Sequence, residues 1–590
     1  MSGADMRAVH LIAEAGRRSY ARREIIRRGL AMGLSLTTIG WVLAACGGGS
    51  APTPTATGST ATPESGGTGA TEPTGTGPNG TPEDGGTFTI LLHGSTSDFD
   101  PHSAYDEIAS SVFMGTYEML IKLKGDSMDE YEPMLAESWG PSDDGLTWTF
   151  TLFDNVKFHD GTPCDAEAVV MSFRRLLSMQ LGPYDVIGRF IDNPETDIIA
   201  VDAKTVQFKL KSPNPIFEAA VASQYGPWIV SPAAVEEHKT SDDPWAHQWF
   251  VRNMVGTGPY RVVELEPEQH IVLKRFPDYH RGWDGAHFDR IIFRVVEDTA
   301  TRRQLITSRE ADALTNALAP DALESLRQDP SVQVIEYPST HVNWSWMNCG
   351  DRLKDPEVRQ GFSYAFPYED VREGVYMGLL EKSGGPLTPT TRGYSEDVFI
   401  YETDLDKAKE LLDKHFQPGE TFTWLIPSDS ALHESVAALM QANLQAIGYQ
   451  LEIQKVDRSA MIELAYGDAP PSERPDFFGS WGWFPDYNDG YNELAPNFHS
   501  SAAGGGGSNL GFYSNPRIDE ILDTLAAGVP EDEYYELLSE AQQILTKDDP
   551  PAIYWGTVKY YTVLSSDIAG FQWNPVYLAT YDFYKMHRVR

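Results

Sequence analysis

Residues 47–86 are almost entirely Gly, Ser, Thr, Pro and Ala with a few acids, and a stretch so poor in apolar side chains cannot offset the entropy of ordering its backbone. Any fold must therefore lie to either side of it. On the N-terminal side, Arg17, Arg18, Arg22, Arg23, Arg27 and Arg28 precede an uncharged run at 29–45, which ends in Leu43-Ala44-Ala45-Cys46. A charged segment followed by an apolar one and small residues is the order that export machinery reads. A transmembrane helix needs about 20 apolar residues, and this run is shorter and interrupted by Gly33 and Gly40. Residues 1–45 are expected to be a signal peptide.

Leu43-Ala44-Ala45-Cys46 resembles the lipobox of bacterial lipoproteins, which implies cleavage before Cys46 and attachment of lipid there. Arg22-Arg23-Glu24-Ile25-Ile26 also resembles a twin-arginine signal, while the general secretory route stays open. The expected mature protein sits outside the cytoplasm, tied to the cell membrane through Cys46, with 46–86 as a leash whose root-mean-square span is about 35 Å. The chain carries 46 Lys+Arg against 85 Asp+Glu, a net −39; residues 1–45 hold seven Arg and three acids, so their loss leaves −43. So acidic a chain disfavours nucleic acid and anionic lipid surfaces. Only Cys46, Cys164 and Cys349 occur. They give no disulfide framework, a Cys164–Cys349 bridge stays open, and no Cys/His spacing resembles a zinc site. No metal or cofactor is expected.

Beyond the leash the pattern turns globular, and 41% apolar residues allow a large core in more than one lobe. Phe88, Ile90 and Leu92 alternate as in a strand, as do Trp148, Phe150 and Leu152, and later Val206, Phe208 and Leu210. Thr162-Pro163-Cys164-Asp165 predicts a helix start with Thr162 as the N-cap and Cys164 in the first turn, running to about Met179. Residues 404–415 predict a further helix, with Leu405, Ala408, Leu411 and Leu412 on one face. A strand at 421–426, a helix carrying Leu432, Val436, Leu439, Met440 and Ile447 and closed by Gly448, and a second strand through Leu451 and Ile453 form a βαβ unit. Such units make strands parallel, so the fold class is α/β.

Several segments taken together resemble the extracellular solute-binding proteins of ABC importers, family 5, which includes dipeptide-, oligopeptide- and nickel-binding lipoproteins. They are Leu135-Ala136-Glu137-Ser138-Trp139, Asp144-Gly145-Leu146-Thr147-Trp148-Thr149-Phe150, Val156-Lys157-Phe158-His159-Asp160-Gly161-Thr162-Pro163, Gly256-Thr257-Gly258-Pro259-Tyr260 and Tyr513-Ser514-Asn515-Pro516. The resemblance implies a two-lobed periplasmic-binding-protein-like fold (type II, large cluster C form) with an extra domain inserted in lobe one. By analogy, lobe one takes residues 86–120, 249–340 and 566–590, the insert 121–248, and lobe two 341–565. Ala365-Phe366-Pro367-Tyr368 and Cys349 depart from the family pattern.

The segment from Trp481 to Tyr491 holds too many aromatics and turn-formers for an ordinary strand or helix. The resemblance places Asp486 where peptide-binding relatives hold the ligand's α-ammonium; an Asp beside Pro and Asn is equally a turn former. Trp481, Trp483 and Tyr487 share this segment. Trp344 and Trp346 alternate on a strand at 341–348 that the family sets against the cleft, and they serve equally well as core. Tyr105 lies in a loop corresponding to one that pairs with ligand backbone, and Arg392 is a candidate for a ligand carboxylate.

Gly504-Gly505-Gly506-Gly507-Ser508 lacks the Lys of a phosphate-binding loop, and His159-Asp160 has no nucleophile at motif spacing. The expected function is therefore a non-catalytic, monomeric receptor that captures di- or oligopeptides and hands them to a permease driven by partner ATPase subunits. Aromatic richness keeps an oligosaccharide ligand open, and a nickel chelate or a secreted hydrolase are the remaining alternatives.

Overall fold

Phe88, Ile90 and Leu92 turn inward from the strand Thr87–Leu92, which runs parallel to Arg290–Val295 on one side and Ala313–Leu314 on the other. The structure, a computed structural model, describes residues 78, 80–315, 318–467, 469–504, 507–578 and 580–590, leaving out the side chains of Ser480 and Trp481. The expected signal peptide, Cys46 and most of the leash lie outside the described residues. No helix among the described residues is long and apolar enough to cross a membrane.

Two large sheets organise the molecule. The first has seven strands, in the order Val332–Tyr337, Tyr560–Ser565, Ala313–Leu314, Thr87–Leu92, Arg290–Val295, His270–Arg275 and Tyr260–Glu266. The second has six, in the order Leu380–Glu381, Ala552–Val558, Val342–Met347, Phe477–Trp483, Thr421–Pro427 and Gln450–Val456. The expected βαβ unit is present: Thr421–Pro427 and Gln450–Val456 pair in parallel, joined by the helix Ala431–Ala446, and Gly448 ends that helix at φ +98°. A four-stranded sheet formed by Ala136–Pro141, Thr147–Leu152, Thr205–Lys209 and Ile198–Ala200 builds the extra domain.

The chain passes between the two large sheets twice among the described strands, from Val332–Tyr337 to Val342–Met347 and from Ala552–Val558 to Tyr560–Ser565. These crossings lie side by side, with Val558 N donating to the His341 carbonyl at 2.9 Å. Two adjacent crossings make a natural place for lobes to swing, because few residues need to change dihedral angle.

Four sequence expectations need correction. The strand Tyr560–Ser565 belongs to the first sheet rather than to lobe two, so the boundary drawn at 565 falls one strand late; it pairs residue for residue with Val332–Tyr337. The leash does not extend to 86, because Pro82–Glu83 pairs with Val589 and Arg588 near the C-terminus. Asp165, not Thr162, caps the helix Ala166–Met179. Thr162 is held instead in a turn by Asp160 Oδ1 (2.8 Å from its N), and Cys164 precedes the helix, its N bonded to the Val156 carbonyl. Burial pushes the Cys164 thiol well up, and both Cys164 and Cys349 are free. Finally, Trp481-Gly482-Trp483 ends the strand Phe477–Trp483, and Gly490 and Tyr491 begin the helix Gly490–Phe498. Gly482 makes that strand possible, since a Cβ there would sit 1.6 Å from the His341 ring.

The family motifs act as architecture. A Cβ on Gly256 would stand 2.2 Å from the Thr116 carbonyl oxygen, so the motif lets two backbones touch. His159 fastens the turn to it, its N donating to the Gly256 carbonyl and its Nε2 lying 2.9 Å from that of Gly258.

Asp100 and Arg175 are both fully buried, with Arg175 Nη1 2.7 Å from Asp100 Oδ1 and Nε bonded to the Trp245 carbonyl. Burial alone would raise the Asp100 carboxyl, but the guanidinium outweighs it and holds it well below the usual range. This pair ties the extra domain to the loop that carries Tyr105. Replacing Arg175 by Met strands a buried charge, and the expected loss is about 3–5 kcal/mol in urea unfolding. An unchanged midpoint contradicts the role assigned to the pair.

Candidate functional site

Tyr105 is presented by a short, heavily braced loop. Asp100 accepts from the backbone N of His102 (3.0 Å), and Ser103 Oγ donates to Asp98 (2.6 Å). Asp106 caps the next helix, Glu107–Thr116, by accepting from Ile108 N and Ala109 N, the arrangement that short acidic side chains favour at an N-cap. Tyr105 itself stays 46% exposed, its ring edge-on to Tyr225 at 4.8 Å.

The hydroxyl of Tyr105 donates to the Asp486 carboxylate. Asp486 follows the strand Phe477–Trp483 and is held on two further sides. Its backbone N donates to Asn492 Oδ1 and its Oδ2 accepts from Asn492 Nδ2 at 3.1 Å. Its carbonyl accepts from Ser223 Oγ at 2.6 Å. The first lobe, the extra domain and the second lobe therefore converge on one residue. Burial raises the Asp486 carboxyl despite the donors from Tyr105 and Asn492, so a cation brought to it would be met by a poorly hydrated anion.

Trp344 and Trp346, both fully buried on Val342–Met347, sit 5.8 Å apart at 88° and pack on Phe498 at 6.1 and 5.3 Å. Tyr487 is equally buried and Trp483 partly so. The Nε1 atoms of Trp344, Trp346 and Trp483 and the hydroxyl of Tyr487 are buried with no hydrogen-bond partner among the described residues. Such atoms are rare in folded proteins and each costs about 1–3 kcal/mol unless something supplies the missing bond. The side chain of Trp481 lies outside the description. Among the described residues no group of three His, Cys, Asp or Glu is placed to hold a metal ion.

Arg392 is engaged elsewhere: Nε donates to Tyr535, Nη1 to the Pro215 carbonyl (3.2 Å) and Nη2 to Glu531 (3.2 Å). The cation that does face the Asp486 segment is Arg189. Its guanidinium lies 4.9 Å from the centre of the Tyr491 ring, and its Nη1 is buried without a hydrogen-bond partner among the described residues. Sequence reading missed Arg189, Ser223 and Asn492. Arg189 and Ser223 reach the site across more than 260 residues of chain, a distance that no local pattern signals.

Asp489 caps the helix Gly490–Phe498 through Tyr491 N (2.8 Å) and accepts from Tyr534 at 2.5 Å. Burial pushes its carboxyl up to about 6, against the opposing effect of the Tyr534 bond. A carboxyl raised in the folded state stabilises fully below its unfolded pKa, and that contribution fades as pH rises through the folded value. Asp489→Asn should therefore gain up to about 3 kcal/mol over the parent at pH 7 and nothing below pH 4. Paired melting curves test this, and an equal difference at both pH values contradicts it.

The geometry defines a class: a two-lobed α/β protein whose lobes meet at Asp486. Residues 130–505 match the family described as bacterial extracellular solute-binding proteins, family 5 Middle, and the chain belongs to that family. It is 30% identical over 495 residues to the probable D,D-dipeptide-binding periplasmic protein DdpA of Escherichia coli K12, covering 82% of this chain and 92% of that protein. It is 28% identical to heme-binding protein A of Haemophilus influenzae, over 74% of this chain and 80% of that protein. The structure of the ABC transporter substrate-binding protein CtaP from Listeria monocytogenes superposes with a TM-score of 0.76 at 23% identity, covering 86% of this chain and all of that one. Members of the family work outside the cytoplasm and bind solutes for ABC transporters.

Proposed function

We propose that this chain is the membrane-anchored receptor of an ABC importer, that it takes short peptides with a free N-terminus, and that it delivers them to the permease without transforming them. The observation that carries this reading is the Asp486 carboxylate, gripped by Asn492, bonded to Tyr105 of the opposite lobe and raised by burial. A peptide α-ammonium replacing the Tyr105 hydroxyl would form charge-assisted bonds of about 1.5–3 kcal/mol there. Arg189 supplies the opposite charge, and its unpartnered Nη1 suits a ligand carboxylate. The unpaired indole N–H groups of Trp344, Trp346 and Trp483 are donors for peptide carbonyls. The D,D-dipeptide named as the ligand of the Escherichia coli relative agrees with this choice.

Asp486→Ala is expected to weaken free-amine peptides at least tenfold, about 1.4 kcal/mol, and to leave the melting temperature nearly unchanged. Calorimetry with N-acetylated and free forms of the same peptide tests it, and equal affinity for the two overturns the ammonium assignment. Anchoring rests on Cys46: Cys46→Ala should move the protein from the membrane to the soluble fraction. Persistence in the membrane fraction would point to another anchor.

A further inference from the structure

Glu493 lies within the first two turns of the helix Gly490–Phe498, fully buried, and neither of its carboxylate oxygens has a hydrogen-bond partner among the described residues. One turn further on, Asn497 uses its Nδ2 to bond the Glu493 carbonyl at 2.8 Å, which leaves its own buried Oδ1 without a partner. Residues four apart share a helix face, so the Glu493 carboxyl and Asn497 Oδ1 lie on one side of this helix, and none of these three oxygens has a partner among the described residues. The same helix carries Phe498, on which Trp344 and Trp346 pack, and Tyr554 adjoins Trp344 at 6.3 Å. Burial, reinforced by the nearby negative charge of Asp486, pushes the Glu493 carboxyl well up.

No structural need explains this glutamate. A buried carboxylate without a partner is among the costliest groups a fold can carry, and replacing it by an apolar residue is commonly neutral or stabilising. The buried donors around it that lack partners among the described residues, the indole N–H groups of Trp344 and Trp346 and the Tyr554 hydroxyl, are neutral, so none of them supplies Glu493 with an opposite charge. A carboxyl and an amide oxygen on one helix face match an ammonium, or a guanidinium, through charge-assisted bonds.

Building on the peptide reading, we propose that Glu493 and Asn497 form a second cation subsite, separate from the Asp486 position, that selects peptides carrying a basic side chain. Aspartate and glutamate side chains would bring further acceptors and a second buried negative charge beside Asp486, and neutral aliphatic ones would leave the carboxyl unpaired.

Calorimetry on the full chain with Lys-Ala, Ala-Lys and their norleucine counterparts tests the proposal, since norleucine keeps the aliphatic stem and removes the charge. One lysyl peptide is expected to bind at least tenfold tighter than its norleucine analogue. In Glu493→Gln that ratio should fall below threefold while the norleucine peptide keeps its affinity, which also reports that the variant is folded. Equal affinities in the parent protein, or a preference that survives Glu493→Gln, overturn the subsite. If the variant fails to fold, the ratio in the parent protein alone decides. Peptides that bind without basic preference defeat this inference and leave the peptide reading standing, whereas no binding by any of the four defeats both.

Discussion

At one residue, Asp486, meet parts of the chain that the sequence keeps far apart. Tyr105 reaches its carboxylate from the first lobe and Asn492 from its own lobe, while Ser223 of the extra domain donates to its backbone carbonyl. A charge in that position is expensive, because burial strips its water and returns only neutral hydrogen bonds. The same expense is what makes it useful. In the proposed function, a ligand cation would restore the lost stabilisation only when the lobes are shut around it, so closure and recognition would become one event.

The rest of the fold serves to bring those groups to one place and let them part. The buried Asp100–Arg175 pair and the Asp106 cap fix the Tyr105 loop. The strand Phe477–Trp483, central in its sheet, delivers the Asp486 segment beside the crossings between lobes. Phe484, just before Asp486, packs on His341 at 4.1 Å and on Tyr560 at 5.7 Å, and both of those residues belong to the crossings. The Asp486 segment and the crossings thus share a contact through which a displacement of one would be felt by the other.

Much of the architecture was legible because its signals are local. Alternation at Phe88, Ile90 and Leu92 and the strand–helix–Gly448–strand series at 421–456 depend only on neighbours, and the structure has them. Thr162 misled because two residues of capping chemistry, Thr162 and Asp165, lie three apart, and tertiary pairing between Lys157 and Pro163 decides between them. The Trp481–Tyr491 segment looked irregular because its strand-forming end depends on Gly482 clearing the His341 ring, a contact across about 140 residues. Arg189 and Glu493 carried no motif. Their meaning lies in what does not bond to them, and only coordinates reveal that.

The account stands or falls on whether the lobes close upon a small cationic guest. Small-angle X-ray scattering of the full chain, titrated with a free-amine dipeptide and with its N-acetylated form, measures this directly. The predicted result is a fall in radius of gyration with the free amine and none with the acetylated form. Superimposable profiles with and without every free-amine peptide tried would contradict it.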